Sequence, residues 1–133
     1  MLNAFRRAVV AALFTVPAAF GIPLAQAADP TTTAFALSDD DKDGVINVEE
    51  YRARMIAVFV ALDKDGDGYL VEAEVPDGHK EVFAVADADG NGRLGLREYL
   101  VFIMPRFWKA DYDGDNVLSL PEVVAAEKRE AAY

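Results

Sequence analysis

Residues 63–74 read DKDGDGYLVEAE, with Asp63, Asp65 and Asp67 at alternate places, Gly68 sixth, Leu70 eighth and Glu74 twelfth. The same form recurs in both directions along the chain. From Asp39 the chain reads DDDKDGVINVEE, from Asp87 DADGNGRLGLRE and from Asp111 DYDGDNVLSLPE, so the four stretches begin 24 residues apart. A fixed period of this length marks one supersecondary unit used repeatedly. Four residues before each start stands Phe35, Phe59, Phe83 or Phe107, and seven after it Ile46, Leu70, Leu94 or Leu118. Acidic, aromatic and aliphatic positions share this period. The acidity is therefore organised, unlike that of a disordered polyanion.

All four stretches fit the twelve-residue calcium loop of the EF hand. That loop needs side-chain oxygens at positions 1, 3 and 5, a sharp turn at 6, a backbone carbonyl at 7 and a glutamate at 12. The physical demand is that of a hard cation wanting six to eight oxygens at about 2.3–2.6 Å, wrapped by a chain that can take positive φ at the turn. Over residues 35–125 the sequence resembles the EF-hand superfamily that includes calmodulin, and more closely the small exported EF-hand proteins of bacteria. The resemblance implies an all-α fold, a compact array of four EF-hand helix-loop-helix motifs with short strand contacts between paired loops. It also implies up to four Ca²⁺ ions as the cofactor.

Carried onto this sequence, loop one (39–50) offers Asp39, Asp41, Asp43, the carbonyl of Val45, Asn47 directly or through water, and Glu50, with Gly44 at the turn. Loop two (63–74) offers Asp63, Asp65, Asp67, the carbonyl of Tyr69 and Glu74, with Val71 leaving position 9 to water. Loop three (87–98) offers Asp87, Asp89, Asn91, the carbonyl of Arg93 and Glu98; one fewer negative charge and Gly95 at position 9 imply weaker binding. Loop four (111–122) offers Asp111, Asp113, Asp115, the carbonyl of Val117, Ser119 and Glu122, but has Asn116 where glycine is usual. Asparagine is among the residues that best tolerate that backbone region. Pro121 falls in the first turn of the exiting helix, where a missing N–H costs little. Ser119 and Glu122 also read as a capping box, so Glu122 has two candidate roles, cap and clamp.

The N-terminus reads as a secretory leader. Arg6 and Arg7 precede an apolar stretch from Ala8 to Leu24, and Ala25-Gln26-Ala27 fits a cleavage site, so residues 1–27 are expected to be removed and 28–133 to form the calcium-binding domain. A retained membrane anchor is the rival reading. Pro17, Gly21 and Pro23 interrupt the stretch, which leaves no stable anchor after cleavage and a periplasmic or secreted product. The chain has no cysteine, so disulfides cannot staple an exported domain and bound calcium is expected to take their place. Of 13 basic residues two lie in the leader, so the charge of −10 becomes −12 in the mature chain, which repels nucleic acid and anionic membranes.

The connectors carry conflicting signals about architecture. YRARMIAVFVAL (51–62) has no breaker and predicts one helix with loops one and two at opposite ends. Pro76-Asp77-Gly78 predicts a reversal that brings loops two and three together, and Pro105 predicts a kink or split in 99–110. Against this, Tyr51 and Tyr99 follow the odd loops while Val75 and Val123 follow the even ones. Such a doubling favours pairing one with two and three with four. We take the turn as the guide. In either arrangement the four phenylalanines fill the core and the four aliphatic residues join the paired loops.

Catalysis is not expected: there is no thiol, His79 is the only histidine, and 15 of the 23 acids stand at ligand positions of the loops. Two roles remain open. One is a calcium buffer or calcium-stabilised module; the other is a sensor exposing an apolar surface to a partner protein, for which Phe102, Ile103, Phe107 and Trp108 are candidates, although core packing is their commoner use.

Overall fold

The computed structural model describes residues 29–75 and 80–131. The expected leader, the expected turn at Pro76-Asp77-Gly78 and His79 lie outside the described residues. The elements in order are α1 (Pro30–Ser38), β1 (Val45–Asn47), α2 (Val48–Leu62), β2 (Tyr69–Leu70), α3 (Lys80–Ala86), β3 (Leu94–Gly95), α4 (Leu96–Ile103), α5 (Pro105–Ala110), β4 (Val117–Ser119) and α6 (Leu120–Ala131).

Each helix entering a loop stops in the same way. The N–H groups of Asp39, Asp63, Asp87 and Asp111 donate to the carbonyls of Phe35, Phe59, Phe83 and Phe107 at 3.0, 3.0, 2.8 and 2.9 Å. The aspartate then leaves helical geometry, with ψ near 88° at Asp39, Asp63 and Asp111. The first loop residue thus donates the last hydrogen bond of the helix and begins the loop.

Two connectors form the middle of the molecule. Helix α2 runs unbroken for 15 residues, about 22 Å at the usual rise, and places loops one and two at its two ends. The second connector is split at Pro105 into α4 and α5. Met104 keeps helical angles (φ −57°, ψ −36°), and the Phe107 N–H donates to its carbonyl at 3.1 Å. Pro105 supplies no N–H, so one bond of the helical ladder is missing and the chain bends there. Helix α2 packs on α4, α1 on α6 and α5 on α6.

Loop pairing is nested. Strand β1 pairs antiparallel with β4, setting Ile46 opposite Leu118, and β2 pairs with β3, setting Leu70 opposite Leu94. The one-with-two and three-with-four arrangement does not occur. The reason is α2: an unbroken helix between loops one and two holds them a helix length apart.

The doubling appears in another form. Tyr51 meets Phe107 edge-on at 5.3 Å between ring centres, and Tyr99 meets Phe59 at 5.5 Å. Advancing Tyr51 by two repeats gives Tyr99, and withdrawing Phe107 by two repeats gives Phe59. The strand pairs obey the same exchange, Ile46 with Leu118 becoming Leu94 with Leu70. The two halves therefore face each other as the two copies in a dimer would, each of these contacts recurring with the halves exchanged.

One motif is shorter than a full helix-loop-helix. After β2 the chain makes a single turn at 72–74, with the Glu74 N–H donating to the Val71 carbonyl at 2.9 Å. A following proline biases Val75 away from helix. Among the described residues the exit from loop two is thus a single turn.

The core has two clusters of buried side chains. One gathers Phe35, Ile46, Tyr51, Met55, Ile103, Phe107, Leu118 and Val123; the other gathers Phe59, Leu70, Phe83, Ala86 and Leu94. The phenylalanines and strand aliphatics expected in the core are all there. Tyr99 packs against both clusters. Its hydroxyl reaches Met55 Sδ at 3.9 Å, and burial pushes its phenol up to about 12 although nearby Arg106 acts to lower it.

Candidate metal centres

Within each loop the acidic side chains first organise their own backbone. The position-1 aspartate accepts the N–H of position 6: Gly44 to Asp39 Oδ2 at 3.0 Å, Gly68 to Asp63 at 2.9 Å, Gly92 to Asp87 at 2.8 Å and Asn116 to Asp111 at 3.1 Å. The position-3 aspartate accepts the N–H of position 5, and position 5 accepts that of position 7, as Asp43 Oδ1 does from Val45 at 3.0 Å. These side-chain turns curl the loop around its carboxylates.

The turn at position 6 has positive φ throughout: 91° at Gly44, 84° at Gly68, 78° at Gly92 and 68° at Asn116. Asparagine thus takes the left-handed conformation expected of it. Position 4 is left-handed as well, at Lys42 (60°), Gly66 (71°), Gly90 (69°) and Gly114 (76°). The sequence reading missed this second requirement. Its signal was glycine at position 4 in three of the four loops.

The position-12 glutamates fold back over their loops. Oε2 accepts the N–H of position 9, from Asn47, Val71, Gly95 and Ser119 at 2.9, 3.0, 3.0 and 2.8 Å. Oε1 accepts from the far side of the loop: Asp40 at 2.8 Å for Glu50, Lys64 at 2.9 Å for Glu74 and Tyr112 at 3.3 Å for Glu122. Glu122 therefore caps α6 through one oxygen and closes loop four through the other. Glu122 is 2 % exposed and Asp39, Glu74 and Asp111 are also buried, while Glu50, Asp63, Asp87 and Glu98 are half-buried.

The position-9 side chains are engaged at helix starts. Asn47 Oδ1 accepts from the N–H groups of Glu49 and Glu50 at 2.9 and 3.0 Å, as an N-cap of α2. Ser119 Oγ donates to Glu122 Oε2 at 2.8 Å. Val45, Tyr69 and Val117 open strands β1, β2 and β4, and Arg93 directly precedes β3.

Carboxylates converge in all four loops. One oxygen from each of Asp39, Asp41 and Asp43 lies within 4.8 Å of the others, and the same holds for Asp63, Asp65 and Glu74, for Asp87, Asp89 and Glu98, and for Asp111, Asp113 and Glu122. Oxygens about 2.3–2.6 Å from one ion can be no more than about 5 Å apart, so these sets fit a single calcium ion. The donors are hard and anionic, with no imidazole or thiolate among them, as calcium prefers over zinc.

The crowding shows in the protonation of two members. For Asp41 the bond from the Asp43 N–H acts to lower the pKa, but desolvation and the charges of Asp43, Glu50 and Asp39 outweigh it and raise it above the ordinary carboxylate value. Asp113 is raised likewise, the Asp115 N–H acting against desolvation and the charges of Asp115, Glu122 and Asp111.

A mostly helical domain with paired two-stranded sheets and four acidic loops is typical of paired EF hands. A family model described as EF hand matches residues 33–56, which span the latter part of α1, loop one and the first half of α2. No curated protein matches the chain.

Proposed function

We propose that this protein binds up to four calcium ions, one in each loop, and serves outside the cytoplasm as a calcium buffer or calcium-stabilised module. The observation that supports this best is the fourfold recurrence of three carboxylate oxygens within 4.8 Å of one another, three aspartates in loop one and two aspartates with the folded-back glutamate in the other three loops. Asp39, Asp41, Asp43 and Glu50 would hold the first ion, with their counterparts in the other loops holding the rest. The carbonyls of Val45, Tyr69, Arg93 and Val117 would complete the shells.

Bound calcium supplies fixed positive charge among carboxylates that otherwise repel one another. Ions held only by the folded loops add their binding free energy to stability, which suits a chain without cysteine. Export rests on residues 1–27 acting as a leader cleaved after Ala27, giving a periplasmic or secreted product.

The sensor alternative draws on Trp108, which is 49 % exposed and lies edge-on to Phe107 at 4.9 Å. Its companions weaken it: Phe107 and Ile103 are buried in the core. Dye binding during a calcium titration separates the two roles. Falling dye binding as helix content rises supports the buffer; an already folded protein that gains dye supports the sensor.

A further inference from the structure

Asp67, at position 5 of loop two, has different partners on its two oxygens. Oδ1 accepts the Tyr69 N–H at 2.9 Å. Oδ2 accepts from the guanidinium of Arg93, at position 7 of loop three, in an ion pair between the two loops. The same guanidinium lies 4.7 Å over the centre of the Tyr69 ring. Tyr69 faces Gly95 across the strand pair, where a Cβ would meet the ring at 3.6 Å, so the ring covers the glycine.

Arg93 therefore belongs to both loops. Its main chain supplies position 7 of loop three, while its side chain grips a carboxylate of loop two. Strands β2 and β3 contribute only two residues each. We propose that Arg93 is a positioning residue that couples the two calcium sites, so that filling either loop orders the other. This rests on the calcium reading above. An ion in loop three that takes the Arg93 carbonyl fixes the backbone from which the guanidinium extends. That steadies Asp67 for loop two, and linkage makes the effect reciprocal.

The other loop pair provides an internal control. Exchanging the halves turns Arg93 into Val45 and Asp67 into Asp115, so the pair formed by loops one and four has no cation at the equivalent place. Coupling there has no such ion pair and runs through the β1–β4 strand pair and the helix packing around it. In the Arg93 pair the side chains are 51 % and 33 % exposed, so the ionic part of the coupling is weakened by salt while a strand contribution is not.

The test uses the full chain. The Gly92 N–H, which donates to Asp87 Oδ2 at 2.8 Å, reports on loop three by its amide resonance during a calcium titration. Loop two is weakened by Glu74→Gln, or more gently by Asp65→Asn, which keeps an oxygen for the Asp67 N–H. Each is expected to raise the calcium midpoint of Gly92 by roughly two- to five-fold, the range of an exposed ion pair. Most of that shift is expected to vanish in an Arg93→Gln background and in high salt, and to survive in Arg93→Lys. Before calcium is added, Arg93→Gln is also expected to move the Tyr69 ring resonances. Equal Gly92 shifts with and without Arg93, or shifts indifferent to salt, would overturn the proposal and leave calcium binding intact. A native Gly92 resonance that ignores calcium would remove the calcium reading and this proposal together.

Discussion

Ile46 of the first loop lies directly opposite Leu118 of the fourth, three repeats later in the chain, and both are almost fully buried. The first and last hands are thus one structural unit, closed further by the Thr31 hydroxyl donating to Glu127 at 2.5 Å between α1 and α6. Leu118→Ala removes a side chain from the cluster that also holds Phe35, Ile46 and Phe107. The expected cost is about 2–5 kcal/mol in denaturant unfolding. The Gly44 amide of loop one is expected to broaden or shift with it, whereas Gly92 in the other pair is not.

Left-handed residues give a second expectation. Lys42 has φ 60° at position 4, where the other three loops have glycine. Lys42→Gly is expected to be neutral or to stabilise by up to about 1 kcal/mol, because relief of backbone strain works against the larger entropy of the unfolded chain. Lys42→Val is expected to cost about 1–2 kcal/mol. Asn116→Val should act similarly in loop four and weaken that site first. Thermal melts with and without calcium check all three.

The sequence shows the repeat unit plainly, because each loop carries its own instructions. Phe35 to Asp39, or Phe107 to Asp111, is a local relation in which a helix stops and a loop starts, and spacing alone reveals it. Pairing is not local. The alternation of Tyr51 and Tyr99 with Val75 and Val123 suggests the wrong partners, whereas the unbroken connector 51–62 and the Pro76-Asp77-Gly78 signal point to loops two and three, which do pair. The Arg93 to Asp67 contact was not legible even so, since the pairing of loops two and three does not say which side chains meet across it. Position 4 was legible and was missed. The cap made by Asn47 depends on how a helix starts within a loop, which the ligand pattern does not encode.

Acidity supplies a third expectation. In the metal-free fold the pKa of Asp41 and of Asp113 is raised, so the folded state holds those protons more tightly than the unfolded one. Their contribution to stability is present in full below the ordinary carboxylate pKa and is lost as pH rises through the raised values. Metal-free protein is therefore expected to gain from Asp41→Asn and Asp113→Asn near neutral pH, and the gain is expected to fade on acidification. Melts in chelator across that pH range check the sign. In calcium the same substitutions are expected to destabilise, since each removes charge from a proposed site.

The most direct measurement of the central claim is calorimetric titration of metal-stripped protein with calcium, on the native chain and on Glu50→Gln, Glu74→Gln, Glu98→Gln and Glu122→Gln singly and together. The account expects about four ions on the native chain, the loss of roughly one with each single change, and no binding once all four glutamates are replaced. Retained binding in the fourfold variant, or none in the native chain, would contradict it.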